Sequence, residues 1–402
     1  MTNNSVTLAH DQYGLSSRIV NLRQSKIRDV ANAGIGRDNV LPFWFGEPDE
    51  VTPAFIRDAA NESIAKGETF YSHNLGVLEL RETIARYLCE LHPNPQWALS
   101  SDHIAVTSSG VNALSLAAQA LIDPADRVVC VTPLWPNLVE IPKILSASVD
   151  CVSLRFDAKR GWYLDLDQLL GALTSRTKLL MINSPNNPTG WTLSRSEQQT
   201  ILSHCRKHGI WIVADDAYER LVYADDVRAA PSFFDIADAP DRLVSANTFS
   251  KSWLMTGWRL GWLAAPKPLI EQLGKIIEYN TSCSPVFVQR AGIVAVRHGD
   301  ATIAHTRERF RAARDHLTRL LNAIEGIEAP PAPGAMYAFF RVRGLTDSLA
   351  FCKRLVAEEG LGLAPGAAFG DEGEGFVRWC FASGLPRLEE GIERFRRGMA
   401  KR

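Results

Sequence analysis

Lys251 and Arg259 stand close together in the stretch Asn247-Thr-Phe-Ser-Lys-Ser-Trp-Leu-Met-Thr-Gly-Trp-Arg-Leu-Gly-Trp262, among hydroxyl side chains and glycines. A lysine amine in such a setting can hold a carbonyl cofactor as an imine, and an arginine beside it can grip that cofactor's phosphate. The same stretch also reads as two strands joined by a loop with scattered basic residues, because a lysine alone is a weak signal. Companions elsewhere in the chain must decide.

Those companions need an element pattern that brings them together. From 104 to 262 short apolar runs alternate with helical patterns. Runs at 104–107, 127–132, 149–154, 178–183 and 210–214 read as strands, and 111–121, 136–145 and 194–208 read as helices. Continuous apolar strands between helices predict a mostly parallel sheet covered by helices on both faces, an α/β fold. In such sheets ligands gather beyond the strand C-termini. Ser108-Ser109-Gly110, Pro133-Leu-Trp135, the segment from Asn183 to Gly190, Asp215-Asp-Ala-Tyr218 and the turn from Thr248 to Lys251 each follow a predicted strand. Polar turns on one sheet edge make one site.

Outside that span, the segment from Leu41 to Asp49 reads as a short apolar strand broken at Gly46, where a missing Cβ admits a ligand or another backbone. An amphipathic helix over 53–65 with Pro53 at its start, a loop from Tyr71 to Gly76 and a helix over 77–91 follow. After Pro285 come long arginine-rich helical patterns, apolar runs at 336–342 and 376–381, and a closing helix over 388–399. A chain of 402 residues exceeds one compact core. The expected division is an N-terminal arm over 1–46 that completes the small domain, a large α/β domain over 47–295 and a small α+β domain over 296–402.

Composition removes other classes of function. With 44 basic and 45 acidic residues, a net charge of -1 and no run of either sign, there is no electrostatic footprint for nucleic acid or an anionic membrane. No segment has the roughly 20 apolar residues of a membrane span. Seven dispersed cysteines without a Cys-x-x-Cys pair outline neither a disulfide framework nor a zinc ribbon. The first ten residues lack a signal-peptide pattern. Small-molecule chemistry in the cytoplasm is the expectation. His204 and His208 have one-turn helical spacing around Cys205 but no third ligand, so no metal is expected. The glycine-rich segment 370–375 reads as a loop, and Arg307, Arg309, Arg311 and Arg314 read as a solvated helix face.

Taken in order, Gly46-Glu-Pro-Asp49, Tyr71, Ser109-Gly110, Trp135, Asn187-Pro-Thr-Gly190, Asp215-x-x-Tyr218, Ser250-Lys251, Gly257-Trp-Arg259-Leu-Gly261 and Arg378 form a set that resembles the pyridoxal-phosphate-dependent class I/II aminotransferases, the aspartate aminotransferase superfamily of fold type I. Each motif is weak alone; their order over nearly the whole chain is specific. The resemblance implies pyridoxal 5′-phosphate held by Lys251 as an aldimine, and ping-pong transfer of an amino group from an L-amino acid to a 2-oxo acid. Lys251 would also shuttle the substrate proton. Asp215 would pair with the pyridine nitrogen. Asp216 competes for that role but lacks the family's spacing to Tyr218. Tyr218 and Asn187 would hydrogen-bond the phenolic oxygen. Ser109, Gly110 and Val111 at a helix start, with Thr248, Ser250 and Arg259, would hold the phosphate. Trp135 would stack on the ring. Tyr71 resembles a residue that reaches the neighbouring subunit's phosphate, which implies a homodimer with shared sites. Arg378 would take the substrate's α-carboxylate, helped by Gly46, Asn187 and Trp135. Arg387 is a competitor that reads as solvated.

One branch of the family carries a basic residue where this chain has Val111, so strict aspartate specificity is not expected. Phe45, Trp44, Leu134 and Met336 are candidates for an apolar side-chain pocket, which points to apolar, aromatic or a broad range of substrates. The scaffold also runs β-elimination, decarboxylation and racemisation. A non-catalytic ligand sensor would need a helix-turn-helix domain, for which about 45 polar N-terminal residues leave no room.

Overall fold

The computed structural model describes residues 13–225 and 227–401; the first twelve residues of the expected arm lie outside them. Its central sheet has seven strands: β1 (Ile104–Thr107), β2 (Arg127–Thr132), β3 (Ser148–Ser153), β4 (Thr177–Asn183), β5 (Trp211–Asp215), β6 (Leu243–Thr248) and β7 (Gly261–Ala264). Their spatial order is β1-β7-β6-β5-β4-β2-β3. Successive residues of β4 explain the unbroken apolar run. Leu179 and Met181 enter the core on one face of the sheet, and Leu180 and Ile182 enter the core on the other. Both faces are dry, so the strand has no polar side to show.

Neighbours β6, β5, β4, β2 and β3 pair in parallel, whereas β7 runs antiparallel to both β1 and β6. The cause is local. The connection 249–260 holds only a 3-10 turn at Thr256–Trp258, too little chain for the crossover helix a parallel return needs. Because β7 enters where its neighbours end, Arg259 just ahead of it arrives at the same sheet edge as Lys251.

Helix boundaries follow their caps. Ser109 Oγ accepts the Asn112 N–H at 3.1 Å to start the helix Gly110–Leu121. Ser194 and Glu197 form a capping box for Arg195–His208, which stops at Gly209 in the left-handed region. Helices Lys267–Glu278 and Ser348–Glu359, the latter capped by Asp347 and Gly360, have no counterpart among the sequence expectations.

A separate core gathers the C-terminal part of the chain around β8 (Ile327–Glu328), β9 (Tyr337–Val342), β10 (Ala364–Pro365) and β11 (Phe376–Cys380), an antiparallel sheet of order β8-β9-β11-β10. Ile27, Val30 and Ala31 of the helix Lys26–Gly34 pack into this same core with Phe43 and Trp44. Leu41–Pro42 pairs in parallel with Leu361–Gly362. The N-terminal segment is thus bound to the far end of the chain.

The arginines of the helix Asp300–Asn322 are not a solvated face. Arg309 pairs with Asp49 and with Glu50 at 2.9 Å, and Arg311 pairs with Asp225 at 2.6 Å. Arg307 reaches the Val227 carbonyl, and Arg314 donates to the Ala332 carbonyl at 3.0 Å while lying over the Tyr223 ring. Helical periodicity marks the polar face but not the loops that fold against it. Arg387 is likewise half-buried, over the Phe43 ring at 5.5 Å, instead of solvated.

Candidate active site

One cavity of about 900 Å³ opens at the shared edge of the central sheet. Gly46, Gly110, Val111, Trp135, Asn187, Asp215, Tyr218, Thr248, Ser250, Lys251, Arg259 and Arg378 all line it. Ser109 is buried one residue behind the wall, and Tyr71 lies outside it, 89% exposed. Phe45 and Leu134 also line the cavity. Trp44 and Met336 do not; they are buried in the C-terminal core.

Lys251 follows β6, and its amine donates to the Gly46 carbonyl at 2.5 Å. Asp215 closes β5, where its carboxylate takes one backbone N–H, from Ala217, at 3.2 Å. Asp216, one residue on, turns the opposite way and accepts the Ser245 hydroxyl at 2.5 Å. Alternation along extended chain therefore separates the two aspartates, and only Asp215 faces the cavity. Asn183 ties the ends of β4 and β5 together by donating to the Asp215 carbonyl at 2.9 Å and accepting the Asn187 N–H at 2.7 Å.

Asn187 is held on three sides. Its carbonyl accepts the Trp135 N–H at 2.8 Å, and its side-chain oxygen accepts from Arg378 Nη1 at 2.9 Å. Arg378 also donates to the Trp44 carbonyl and lies over the Tyr337 ring at 4.5 Å. Its Nε is buried with no partner among the described residues. The Tyr218 and Tyr337 hydroxyls share a hydrogen bond of 2.7 Å.

The opposite end of the cavity is built for an anion. Helix Gly110–Leu121 starts here, and its first amides have no carbonyl of their own turn to bond. Ser109 precedes it at φ 145°, a backbone conformation costly for any residue but glycine and concentrated at functional sites. A Cβ on Gly261 would stand 2.7 Å from the Gly110 nitrogen and 2.6 Å from the Asn247 carbonyl, so only glycine lets β7 press against this helix start. Thr248 and Ser250 share a hydroxyl hydrogen bond of 2.9 Å beside it.

Residues 38–395 match the family described as aminotransferase class I and II. The chain belongs to this aminotransferase family. Its relatives include the aspartate aminotransferase of Thermotoga maritima, 34% identical over 357 residues that cover 89% of this chain and 90% of the relative. The aromatic-amino-acid aminotransferase 2 of Thermococcus litoralis is 31% identical over 384 residues, 94% of this chain and 97% of the relative. Among solved structures, the Thermus thermophilus aspartate aminotransferase with maleate aligns with a TM-score of 0.88 at 29% identity, covering 96% of this chain and 99% of that one.

Aminotransferases of this family use pyridoxal 5′-phosphate, and this chain is a transaminase. The cavity fits that cofactor. Unbonded amides and hydroxyls suit a phosphate, an amine suits an aldehyde, and a buried carboxylate with a single N–H donor suits a cationic ring nitrogen. Burial alone pushes the Asp215 carboxyl up to about 7, against the pull of the Ala217 N–H and the Lys251 charge. Burial, then the Tyr337 hydroxyl, raises Tyr218 well above the ordinary phenol value.

The same desolvation acts on the lysine of this cavity. Burial lowers the Lys251 amine to about 8, with Arg378 and Arg259 adding to the effect and Cys380 and Glu47 opposing it. Capture of the cofactor aldehyde requires the neutral amine. In the cofactor-free protein the rate of capture, followed by visible absorbance, is expected to climb through the region of pH 8 and level off above it. A rate that keeps climbing toward the ordinary lysine value of 10.5 would count against this picture.

Sequence reasoning missed Tyr337 and the carbonyls of Trp44 and Gly46. Tyr337 lies in an apolar strand and reads as core, and a backbone carbonyl has no residue type to read. The Gly46-Glu-Pro-Asp49 motif was the one available signal, and a Cβ on Gly46 would overlap the Tyr337 hydroxyl.

Proposed function

We propose that this chain moves an amino group from an L-amino acid to a 2-oxo acid in two half-reactions on one site, a ping-pong cycle that admits apolar, aromatic or a broad range of side chains. The observation that carries this reading is the placement of Lys251 on the Gly46 carbonyl and Arg378 on the Trp44 carbonyl, within one cavity that Asp215 also enters. When bound, pyridoxal 5′-phosphate supplies an aldehyde for the amino group and a ring that draws electrons away from the substrate's Cα.

The chain's own residues divide the remaining work. Gly110 and Val111 amides, the Ser109, Thr248 and Ser250 hydroxyls and Arg259 hold the phosphate. Asp215 pairs with the ring nitrogen, Tyr218 and Asn187 with the phenolic oxygen, and Trp135 covers a ring face. Arg378 clamps the substrate's α-carboxylate with the Gly46 amide alongside, which directs the Cα proton to Lys251 Nζ. Lys251 takes that proton as a neutral amine and returns it as an ammonium. Tyr71 serves the partner's phosphate in a homodimer, a reading supported by the exposure of Phe70 at 83%, Tyr71 at 89% and Tyr279 at 92% in the single chain. The two separate cores support an arm over 1–46, a cofactor-binding domain over 47–295 and a small domain over 296–402. Seven free thiols accord with a cytoplasmic site of action.

An amino-donor panel on the holoenzyme tests the reaction. The expected outcome is keto-acid formation from apolar and aromatic donors that requires a 2-oxo acid acceptor for turnover. Ammonia and pyruvate released with no acceptor present would replace transfer by elimination.

A further inference from the structure

Behind the cavity lies a buried set of charges that the proposed reaction does not use. His92, Glu219 and Asp235 have side chains only 3%, 5% and 9% exposed. The imidazole stands between the two carboxylates, its Nε2 3.3 Å from Glu219 and its Nδ1 3.1 Å from Asp235. A carboxylate oxygen only accepts, so both ring nitrogens must donate and the ring is an imidazolium. Its place just past the C-terminus of the helix Leu78–Leu91 favours the same charge. The Tyr87 hydroxyl donates to Glu219 at 3.3 Å and accepts Arg220 Nη1 at 3.2 Å. Arg220 also pairs with Asp300 at 2.9 Å, and Arg195 with Asp235 at 2.6 Å. Asp216 lies close enough that Glu219 and His92 both act on its carboxyl. Apolar packing joins elements at less cost than charges stripped of their hydration, and what a buried ionic cluster adds is a single fixed geometry.

The geometry fixed here is the turn that carries Tyr218. Residues 216–220 follow β5 and belong to no helix or strand. The turn closes through the Glu219 N–H on the Asp216 carbonyl at 2.9 Å and the Leu221 N–H on the Tyr218 carbonyl at 2.8 Å. Asp215, Ala217 and Tyr218 face the cavity, whereas Asp216, Glu219 and Arg220 point away from it toward Ser245, His92 and Tyr87. Glu219 is the next residue after Tyr218, so the point at which its carboxylate is held decides where the Tyr218 hydroxyl stands.

We propose that His92 is a positioning residue whose paired hydrogen bonds, acting through Glu219, set the Tyr218 hydroxyl for the cofactor's phenolic oxygen. The inference rests on the contact that the proposed function gives to Tyr218. Loss of the ring proton would leave one N–H for two buried carboxylates and release the turn. Burial opposes the imidazolium, but the hydrogen bonds to Asp235 and Glu219 outweigh it and raise His92 to about 9. Its contribution to stability is therefore complete below the ordinary value of 6.5 and gone above about 9, and the contact itself persists until pH approaches the upper value.

A double-mutant cycle tests this, read by equilibrium binding of pyridoxal 5′-phosphate to the full chain stripped of cofactor. Tyr218→Phe is expected to weaken binding roughly 10- to 100-fold, the scale of one hydrogen bond to a charged oxygen. His92→Gln should weaken it about 10-fold, and by nothing further in the Tyr218→Phe background, where no hydroxyl is left to position. The ratio of wild-type to His92→Gln affinity should fall toward 1 as pH rises through about 9, which a merely structural loss would not produce. Additive losses, or a ratio flat across pH, overturn the role of His92. A Tyr218→Phe protein with wild-type affinity overturns the cofactor contact and the inference with it. The expected non-additivity in a protein that transfers no amino group overturns the reaction and leaves the role of His92 standing. Should His92→Gln fail to fold, nitrogen-15 spectra of histidine-labelled wild type decide: one imidazolium that persists at pH 8 and titrates near pH 9 is expected, and its absence overturns the inference.

Discussion

Lys251→Ala is expected to lower amino transfer by at least about 10⁴-fold, the upper end of what a positioned acid–base group contributes, because in the proposed function the same side chain also anchors the cofactor. Borohydride reduction of the wild-type holoenzyme should fix cofactor to the chain at Lys251, and the variant should show no fixed cofactor. Contacts at the proposed phosphate end are untouched by the substitution: Ser109 still caps its helix and Thr248 still meets Ser250. The variant should therefore retain cofactor that dialysis removes slowly and reduction does not fix. Fixation at an unchanged level in Lys251→Ala would assign the anchoring role to another lysine.

Asp215→Asn should cost about 10² to 10³ in turnover, the magnitude seen when one preorganised charge-stabilising group is removed. Its effect on the cofactor-free protein should be opposite in sign. In the folded chain burial raises the Asp215 carboxyl from 3.8 to about 7. Between those values the unfolded chain has already lost the proton that the folded chain keeps, so this group's contribution to stability declines as pH rises through the interval. Above about pH 7 the full penalty of an ionised, buried carboxylate remains. Asparagine carries no such charge. Thermal melts of the cofactor-free proteins should thus show the variant gaining on wild type as pH rises from about 4 to about 7, with the difference constant above that. Asp216 provides the internal control, since burial raises it to about 7 as well but it faces Ser245 and lies off the cavity wall. An Asp216→Asn protein with the turnover defect, beside an active Asp215→Asn, would reverse the assignment.

Much of the cavity lining was legible because a site at a sheet edge collects polar residues at particular strand ends. Asp215 closes an apolar run and precedes Tyr218 by three positions, and Lys251 follows another run through Thr248 and Ser250. Dry faces on both sides of the sheet made strands such as β4 and β5 readable as continuous apolar segments. What escaped was information that no residue type carries. Tyr337 sits in an apolar strand and gains its meaning only from its contact with Tyr218. The arginines of the helix Asp300–Asn322 show the same limit, since their carboxylate partners lie in segments far away along the chain.

The reversal of β7 has one more consequence. Lys251 and Arg259 belong to a single short loop whose two ends are pinned by β6–β7 pairing, Thr248 opposite Gly261 and Asn247 opposite Trp262. The spacing between the proposed anchoring lysine and the proposed phosphate-binding arginine is therefore gauged by sheet register. Most surface loops absorb an extra residue with little effect. Here a single insertion must either slip β7 by one position, turning Trp262 and Leu263 onto opposite faces, or push Lys251 and Arg259 out of step. On the proposed reading the loop is a ruler cut to the length of the cofactor.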